Sequence, residues 1–382
     1  MSVTSARGFR ASGVAAGLKS TGLDVAVVVN DGPLDTAAGV FTRNRVTAAP
    51  VRWTRQVLGT GRLRAVVLNS GGANACTGPA GFQDTHATAE RAATALGVGA
   101  IDVAVCSTGL IGVRLDMTAL LPGVDKAVAA LHPGGGVDAA TAILTTDTVT
   151  KEAAYAGPGW AMGGMAKGAG MLAPALATML AVITTDAALD PASAAAALRK
   201  ATAHTFDRVD SDGCMSTNDT VLLMASGASG IHPTTDELEA ALSTVCADLV
   251  AGLLADAEGS TKDIEVTVRG ASTVDDALEV ARGIARSNLV KCALYGDDPN
   301  WGRVLAAVGT TDAAFDPDQL AVAMNGVLVC AAGAAAADRS TVDLSGRRVV
   351  IAVDLEAGPE TATVWTNDLS VRYVQENSAY ST

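Results

Sequence analysis

The sequence predicts a mixed α/β (α+β) protein: a layered αββα-type sandwich with a smaller, strand-rich α/β unit towards the C-terminal end. Three observations point there. Short valine-rich runs alternate with alanine-rich stretches of helical period; the pattern restarts after residue 178; and the last hundred residues carry strand and hairpin signals. At 382 residues the chain exceeds one minimal core. It is 49% hydrophobic but only 3% aromatic, and alanine and valine dominate, so sheets and helices should approach closely through small side chains.

In chain order, VAVVV at 25–29, AVVLN at 65–69 and VAVC at 103–106 read as strands, interleaved with helical segments such as 87–96. A helical pattern at 139–144 runs into Thr145-Thr146-Asp147-Thr148, a turn with three hydroxyls and a carboxylate. Beyond residue 178, MLAVITT reads as a strand, Asp190-Pro191 as the N-cap and first-turn proline of a helix, and TVLLMAS as another strand. Thr234 and Glu237 make a capping box for a helix running towards Asp256, which delivers Glu258-Gly259-Ser260-Thr261-Lys262 at its end. In DIEVTVRG, Ile264, Val266 and Val268 alternate as on a half-buried strand, and Asn325-Gly326 signals a type I′ hairpin. With no repeat or linker to mark a boundary, it is placed near Ser287. This gives a main α/β domain over 1–286, a smaller α/β domain over 287–370 and a tail over 371–382.

A formal charge of −13 argues against binding a phosphate backbone or an anionic membrane. No apolar run reaches the ~20 residues that span a bilayer, and the opening MSVTSARGFRASG lacks the apolar stretch of a signal peptide, so a cytoplasmic protein is expected. The six cysteines are scattered, with no CxxC pattern, and read as buried thiols. The four histidines have no ligand spacing, so neither metal nor cofactor is expected.

The chemistry concentrates in KGAGMLAPALATML, which begins at Lys167. A threonine hydroxyl is a poor nucleophile until a base takes its proton. Were the Ala177-Thr178 bond cut, Thr178 would begin a new chain, and its α-amino group, with a pKa of about 7.7 to 8.0, would lie beside the hydroxyl. An ordinary strand entering a core is the competing reading of the same residues. Cys106-Ser107-Thr108-Gly109 follows a strand, so the Thr108 hydroxyl and the Gly109 N–H can face one pocket as an oxyanion hole, or else form a plain turn. Lys167, among Gly163, Gly164, Gly168 and Gly170, has room to meet a substrate carboxylate or carbonyl; an exposed loop lysine is the alternative. Asn69-Ser70-Gly71-Gly72-Ala73-Asn74-Ala75-Cys76 reads as a tight loop in which glycines permit positive φ. Asp297-Asp298-Pro299-Asn300-Trp301-Gly302-Arg303 reads as structural.

Taken in order, NSGGANACTG, STG, TTDT, KGAGMLAPALATML, DGCMSTNDT, AEGSTK, DPNWGR and YVQENSAYST resemble the ornithine acetyltransferase family, also called glutamate N-acetyltransferase, of arginine biosynthesis. The likeness covers nearly the whole chain. It implies self-cleavage between Ala177 and Thr178, with Thr178 as the N-terminal nucleophile and an oxyanion hole at Thr108 and Gly109. It further implies substrate contacts at Thr145, Lys167, Thr178, Glu258, Asn377 and Thr382, with the tail returning to the active site. Thr146 competes with Thr145 for its place. Gly72, where the family more often has asparagine, and the Ala175-Leu176 pair depart from the pattern. The implied reaction is acetyl transfer from N2-acetyl-L-ornithine to L-glutamate; acetyl-CoA as a second donor is left open, and paired α and β chains in an α2β2 assembly are implied.

Three rivals compete. Gly168-Ala169-Gly170-Met171-Leu172-Ala173 fits the G-x-G-x-x-A fingerprint of a dinucleotide-dependent oxidoreductase, but the glycine-rich GPGWAMGGMA before it does not read as the strand that fingerprint needs. An interaction protein would keep the Ala-Thr bond intact. An amidohydrolase or aminopeptidase of the same fold would pass the acyl group to water.

Overall fold

The computed structural model describes residues 2–172 and 179–379, which form two compact units. Of the described residues, the first comprises those up to Asp207 together with Met215–Leu253, and the second comprises Arg208–Cys214 and 254–379.

Among the described residues, nine strands build the first unit: β1 (Phe9–Val14), β2 (Val25–Asn30), β3 (Thr36–Phe41), β4 (Ala65–Asn69), β5 (Val103–Ser107), β6 (Lys151–Ala156), β7 (Ala161–Lys167), β8 (Leu180–Thr185) and β9 (Thr220–Ala225). They form a four-stranded sheet, β1-β2-β4-β5, and a five-stranded sheet, β3-β9-β8-β7-β6. Both are mixed: β4/β5 and β8/β9 pair parallel, the other neighbours antiparallel. Val25 to Val28 and Val66 to Leu68 of the first sheet share one core with Met165, Leu180, Val182, Leu222 and Met224 of the second, so the sheets pack face to face. Its helices are α1 (Ala49–Val57), α2 (Gly78–Leu96), α3 (Met117–Ala129), α4 (Gly136–Ala142), α5 (Pro191–His204) and α6 (Thr235–Ala255). Ala89, Ala92, Leu120, Val124 and Ala127 of α2 and α3 join the same core from the four-stranded side. Gly164 of β7 lies against Val245 and Leu249 of α6 on the other. This is the expected αββα sandwich.

The predicted caps hold. Asp190 accepts the Ala192 and Ser193 N–H groups at 2.9 and 3.0 Å. Thr234 N–H donates to Glu237 at 2.8 Å while Glu237 N–H donates to the Thr234 hydroxyl at 3.3 Å. By length and composition α6 could cross a membrane, but Leu238, Ala241, Leu242, Val245, Leu249 and Leu253 recur at helical spacing and are buried, as on a core helix.

Two expectations need correction. GPGWAMGGMA contains a strand, β7, despite its glycines. A side chain at Gly163 would lie 2.1 Å from the Ser2 carbonyl oxygen, so the glycines serve close packing rather than a loop. The dinucleotide fingerprint fails on other ground: the chain returns as β8, antiparallel to β7, where that motif requires a helix. The cysteines are not uniformly buried either, since Cys76, Cys214 and Cys292 are exposed, outside the apolar cores that enclose Cys106, Cys246 and Cys330.

The second unit holds β10 (Asp263–Ala271), β11 (Ala321–Met324), β12 (Val327–Ala331), β13 (Ala334–Ala335), β14 (Arg348–Asp354) and β15 (Glu360–Asn367), in the order β13-β12-β11-β14-β10-β15. Helices α7 (Val274–Ala285), α8 (Asn288–Tyr295), α9 (Trp301–Val308) and α10 (Val371–Ala379) accompany it. Ile264, Val266 and Val268 point into its core as their alternation predicts. Asn325 and Gly326 both take positive φ, 45° and 84°, as a type I′ turn requires. The boundary expected at residue 287 falls inside this unit, because β10 pairs with β14 and β15 and α7 packs on β10.

Candidate active site

Thr108 follows β5 directly. Its backbone N–H donates to Asn69 O and its carbonyl accepts from Gly72 N–H, both at 3.0 Å, so the buried hydroxyl is the group it has left for a ligand. Gly109 has φ of +127°, and a Cβ there would lie 2.9 Å from Gly72 Cα and N, so only glycine fits. Its N–H has no acceptor among the described residues. Hydroxyl and N–H are thus adjacent and available, as an oxyanion hole requires.

The motifs around them are mutually bonded. Asn69 Nδ2 donates to Ser107 Oγ at 2.7 Å, and Asn218 Nδ2 donates to the carbonyls of Ala73 and Ser107 at 2.6 and 2.8 Å. In the Asn69–Cys76 loop positive φ falls not on Gly71 or Gly72 but on Asn74 and Cys76. Asn74 is held there by its own amide, which donates to Gly81 O and Thr85 Oγ1.

Lys167 ends β7 opposite Leu180 and is 2% exposed, not a loop lysine. Its Nζ donates to Thr108 Oγ1 at 3.4 Å and lies 3.8 Å from Asp147 Oδ2. Asp147, read from sequence as part of a turn, is the hub: Lys151 Nζ donates to Oδ1 at 2.5 Å, Gly168 N–H to the same oxygen at 2.6 Å, and Thr145 N–H to Oδ2 at 3.1 Å. Burial alone would raise this carboxyl; the ammoniums of Lys167 and Lys151, with the Lys151 and Gly168 hydrogen bonds, hold it down at about 2. The first unit therefore gathers Thr108, Gly109, Thr145 and Lys167 around one ionised carboxylate. The short motif TTDT contains Asp147 but does not show its role, because Lys167 and Gly168 reach it from the end of β7, 20 and 21 positions on.

Asp219 is a second buried carboxyl that the sequence did not single out. Its Oδ1 accepts the Met179 N–H at 3.0 Å, and Oδ2 has no hydrogen-bond partner among the described residues. Burial raises it well above the usual carboxylate range.

Glu258 and Asn377 belong to the second unit. Glu258 lines a cavity there with Asp212, Arg286, Lys291 and Tyr373. Next to it the Gly259 carbonyl accepts from Ser370 Oγ at 2.5 Å, and a Cβ on Gly259 would meet Tyr373 N at 2.2 Å, so the turn after α6 packs on the start of α10. Asn377, one turn along α10, is exposed and donates to Tyr373 O at 3.0 Å. Ala177, Thr178 and Thr382 lie outside the described residues, as do Ala175 and Leu176. Among the described residues no cluster of His, Cys, Asp and Glu could hold a metal ion.

Comparison with known proteins identifies the family. The ArgJ family profile matches residues 10–382. The arginine biosynthesis bifunctional protein ArgJ of Streptomyces coelicolor is 63% identical over 382 residues, covering 100% of both chains. That of Mycobacterium tuberculosis is 61% identical over 388 residues, covering 99% of this chain and 96% of its own. A solved ornithine acetyltransferase from M. tuberculosis, complexed with ornithine, is 60% identical over 45% of this chain and 94% of that one, with a TM-score of 0.43. The chain belongs to the ArgJ family and is an acetyltransferase of arginine biosynthesis.

Proposed function

We propose that this enzyme cuts itself between Ala177 and Thr178 and then moves an acetyl group from N2-acetyl-L-ornithine to L-glutamate through an acetyl ester on Thr178. The Thr178 hydroxyl attacks the acetyl carbonyl carbon while the α-amine of Thr178 takes its proton. Collapse of the tetrahedral state breaks the C–N bond, and the ornithine nitrogen leaves with that proton. Glutamate's amine then attacks the ester carbonyl, the C–O bond breaks, and the threonine hydroxyl regains a proton as N-acetylglutamate departs. Thr108 Oγ–H and Gly109 N–H stabilise the oxyanion of both tetrahedral states.

One observation carries the reading: a buried threonine hydroxyl, held by Lys167, beside a glycine N–H with no acceptor among the described residues. Family membership supports it. By charge, Lys167 and Asn377 suit a substrate carboxylate and Glu258 an ammonium, with Thr145 and Thr382 as further contacts. Acetyl-CoA is the second donor to be tested, and an α2β2 assembly of the cut chains in the cytoplasm is part of the same reading. Purified protein given N-acetylornithine labelled in the acetyl group, with and without glutamate, decides it. Labelled N-acetylglutamate is expected with little labelled acetate; acetate as the main product would make the enzyme a hydrolase.

A further inference from the structure

We infer that Asp147 is a positioning residue that aims the Thr108 hydroxyl at the oxyanion, acting through Lys167. The inference rests on the reaction proposed above and names a residue which that reaction does not itself assign.

A lysine ammonium only donates, whereas a threonine hydroxyl offers one O–H and two acceptor lone pairs. Because Lys167 Nζ donates to Thr108 Oγ1, the Thr108 O–H must point away from the ammonium and is free for another acceptor. With both backbone groups of Thr108 already bonded, the direction of that O–H is what Lys167 sets. Lys167 in turn is buried, and a buried ammonium needs a counter-charge to remain charged. Asp147 supplies it at 3.8 Å, with a side chain that is itself 0% exposed.

The same carboxylate also fixes the ends of the arrangement. It accepts Gly168 N–H, so the backbone leaving Lys167 is tied to it, and it accepts Thr145 N–H with the Thr145 hydroxyl 3.5 Å from the same oxygen. Lys151 and Lys167 share this one carboxylate across β6 and β7. Among the described residues, Asp147 also acts on Lys19, and Lys167 on Asp219. A turn carboxylate placed only to cap its own loop would not need two lysines from neighbouring strands.

The test is Asp147→Asn in the full chain. The amide can still accept hydrogen bonds from Gly168 or Thr145 but carries no charge, so Lys167 loses the carboxylate charge 3.8 Å from it and Thr108 its fixed donor direction. Turnover of N-acetylornithine with glutamate, counted per mole of folded protein, should fall about 100-fold or more, the effect of losing one oxyanion donor. The alkaline limb of the kcat profile should move to lower pH as Lys167 gives up its proton more readily. A kcat and an alkaline limb equal to wild type would overturn the assignment, because a purely structural carboxylate changes the yield of folded enzyme and neither quantity. If Asp147→Asn is not recovered folded, Asp147→Glu replaces it. Displaced by one methylene, its carboxylate should lower kcat at least about tenfold while keeping the alkaline limb, and wild-type kcat there would equally overturn the idea. A wild-type enzyme that makes no N-acetylglutamate sinks the proposed reaction itself; an active wild type with an unaffected Asp147→Asn sinks only the role of Asp147.

Discussion

Two buried carboxyls in the first unit accept backbone N–H groups from residues that flank 173–178 in sequence. Asp147 accepts the N–H of Gly168 before it, and Asp219 accepts the N–H of Met179 after it. Both pay for burial, yet their pKa values move in opposite directions. Asp147 lies between two ammoniums and is held at about 2, whereas at Asp219 burial outweighs the Met179 and Ser216 hydrogen bonds and the pull of Lys167 and raises the carboxyl well above its ordinary value. Burial sets a neutral default, and close opposite charge reverses it. One carboxyl holds cations in place; the other, just before β9, accepts a backbone N–H where burial opposes its ionisation.

That contrast can be broken by substitution. Asp147→Ala removes the carboxylate that Lys151 and Lys167 share and should cost about 3–5 kcal/mol of stability, read as a fall in the urea midpoint. A loss under about 1 kcal/mol would show that the two lysines do not depend on Asp147. Thr108→Val keeps the shape but removes the hydroxyl, so the barrier should rise by about 2.7–4 kcal/mol. In steady-state kinetics this appears in kcat, with the melting temperature little changed.

The titration of Asp147 sharpens the comparison further. Its folded pKa lies below the unfolded value of 3.8, so the folded state binds this proton less tightly than the unfolded state. The stability it confers, of order 2 kcal/mol, is fully present above the unfolded pKa and is lost as pH falls from about 4 through about 2. Denaturation midpoints over that window should fall more steeply in wild type than in Asp147→Asn. Asp219 runs the other way: with its folded pKa raised, stability declines as pH rises through that range. Because an amide mimics the neutral carboxyl and still accepts the Met179 N–H, Asp219→Asn should change stability at neutral pH by less than about 1 kcal/mol. A loss comparable to that of Asp147→Ala would mean that Asp219 is ionised, and the contrast would collapse.

What was legible in the sequence was local. The capping box at Thr234 and Glu237, the Asp190-Pro191 helix start and the Asn325-Gly326 turn are written within four residues, and each depends on backbone geometry that those residue types favour. Thr108, Gly109 and Lys167 stood out as candidates because their motifs are local too. The strand β7 was missed because Gly163 and Gly164 answer to Ser2 and to α6, which are distant in sequence. Asp147 and Asp219 stayed hidden for the same reason, since each takes its meaning from a backbone N–H or an ammonium on another strand. The extent of the second unit was likewise set by β10 pairing in parallel with β14, a contact that no window of sequence displays.

The central claim is a covalent acetyl group on a threonine that begins its own chain. Enzyme mixed with N-acetylornithine, quenched in acid before glutamate is added and analysed by denaturing mass spectrometry, tests it directly. The account predicts two fragments meeting at Ala177 and Thr178, with one acetyl mass added to the fragment that begins at Thr178 and removed on adding glutamate. A single uncut chain that still makes N-acetylglutamate, or a release of ornithine with no acetyl mass on that fragment, would contradict it.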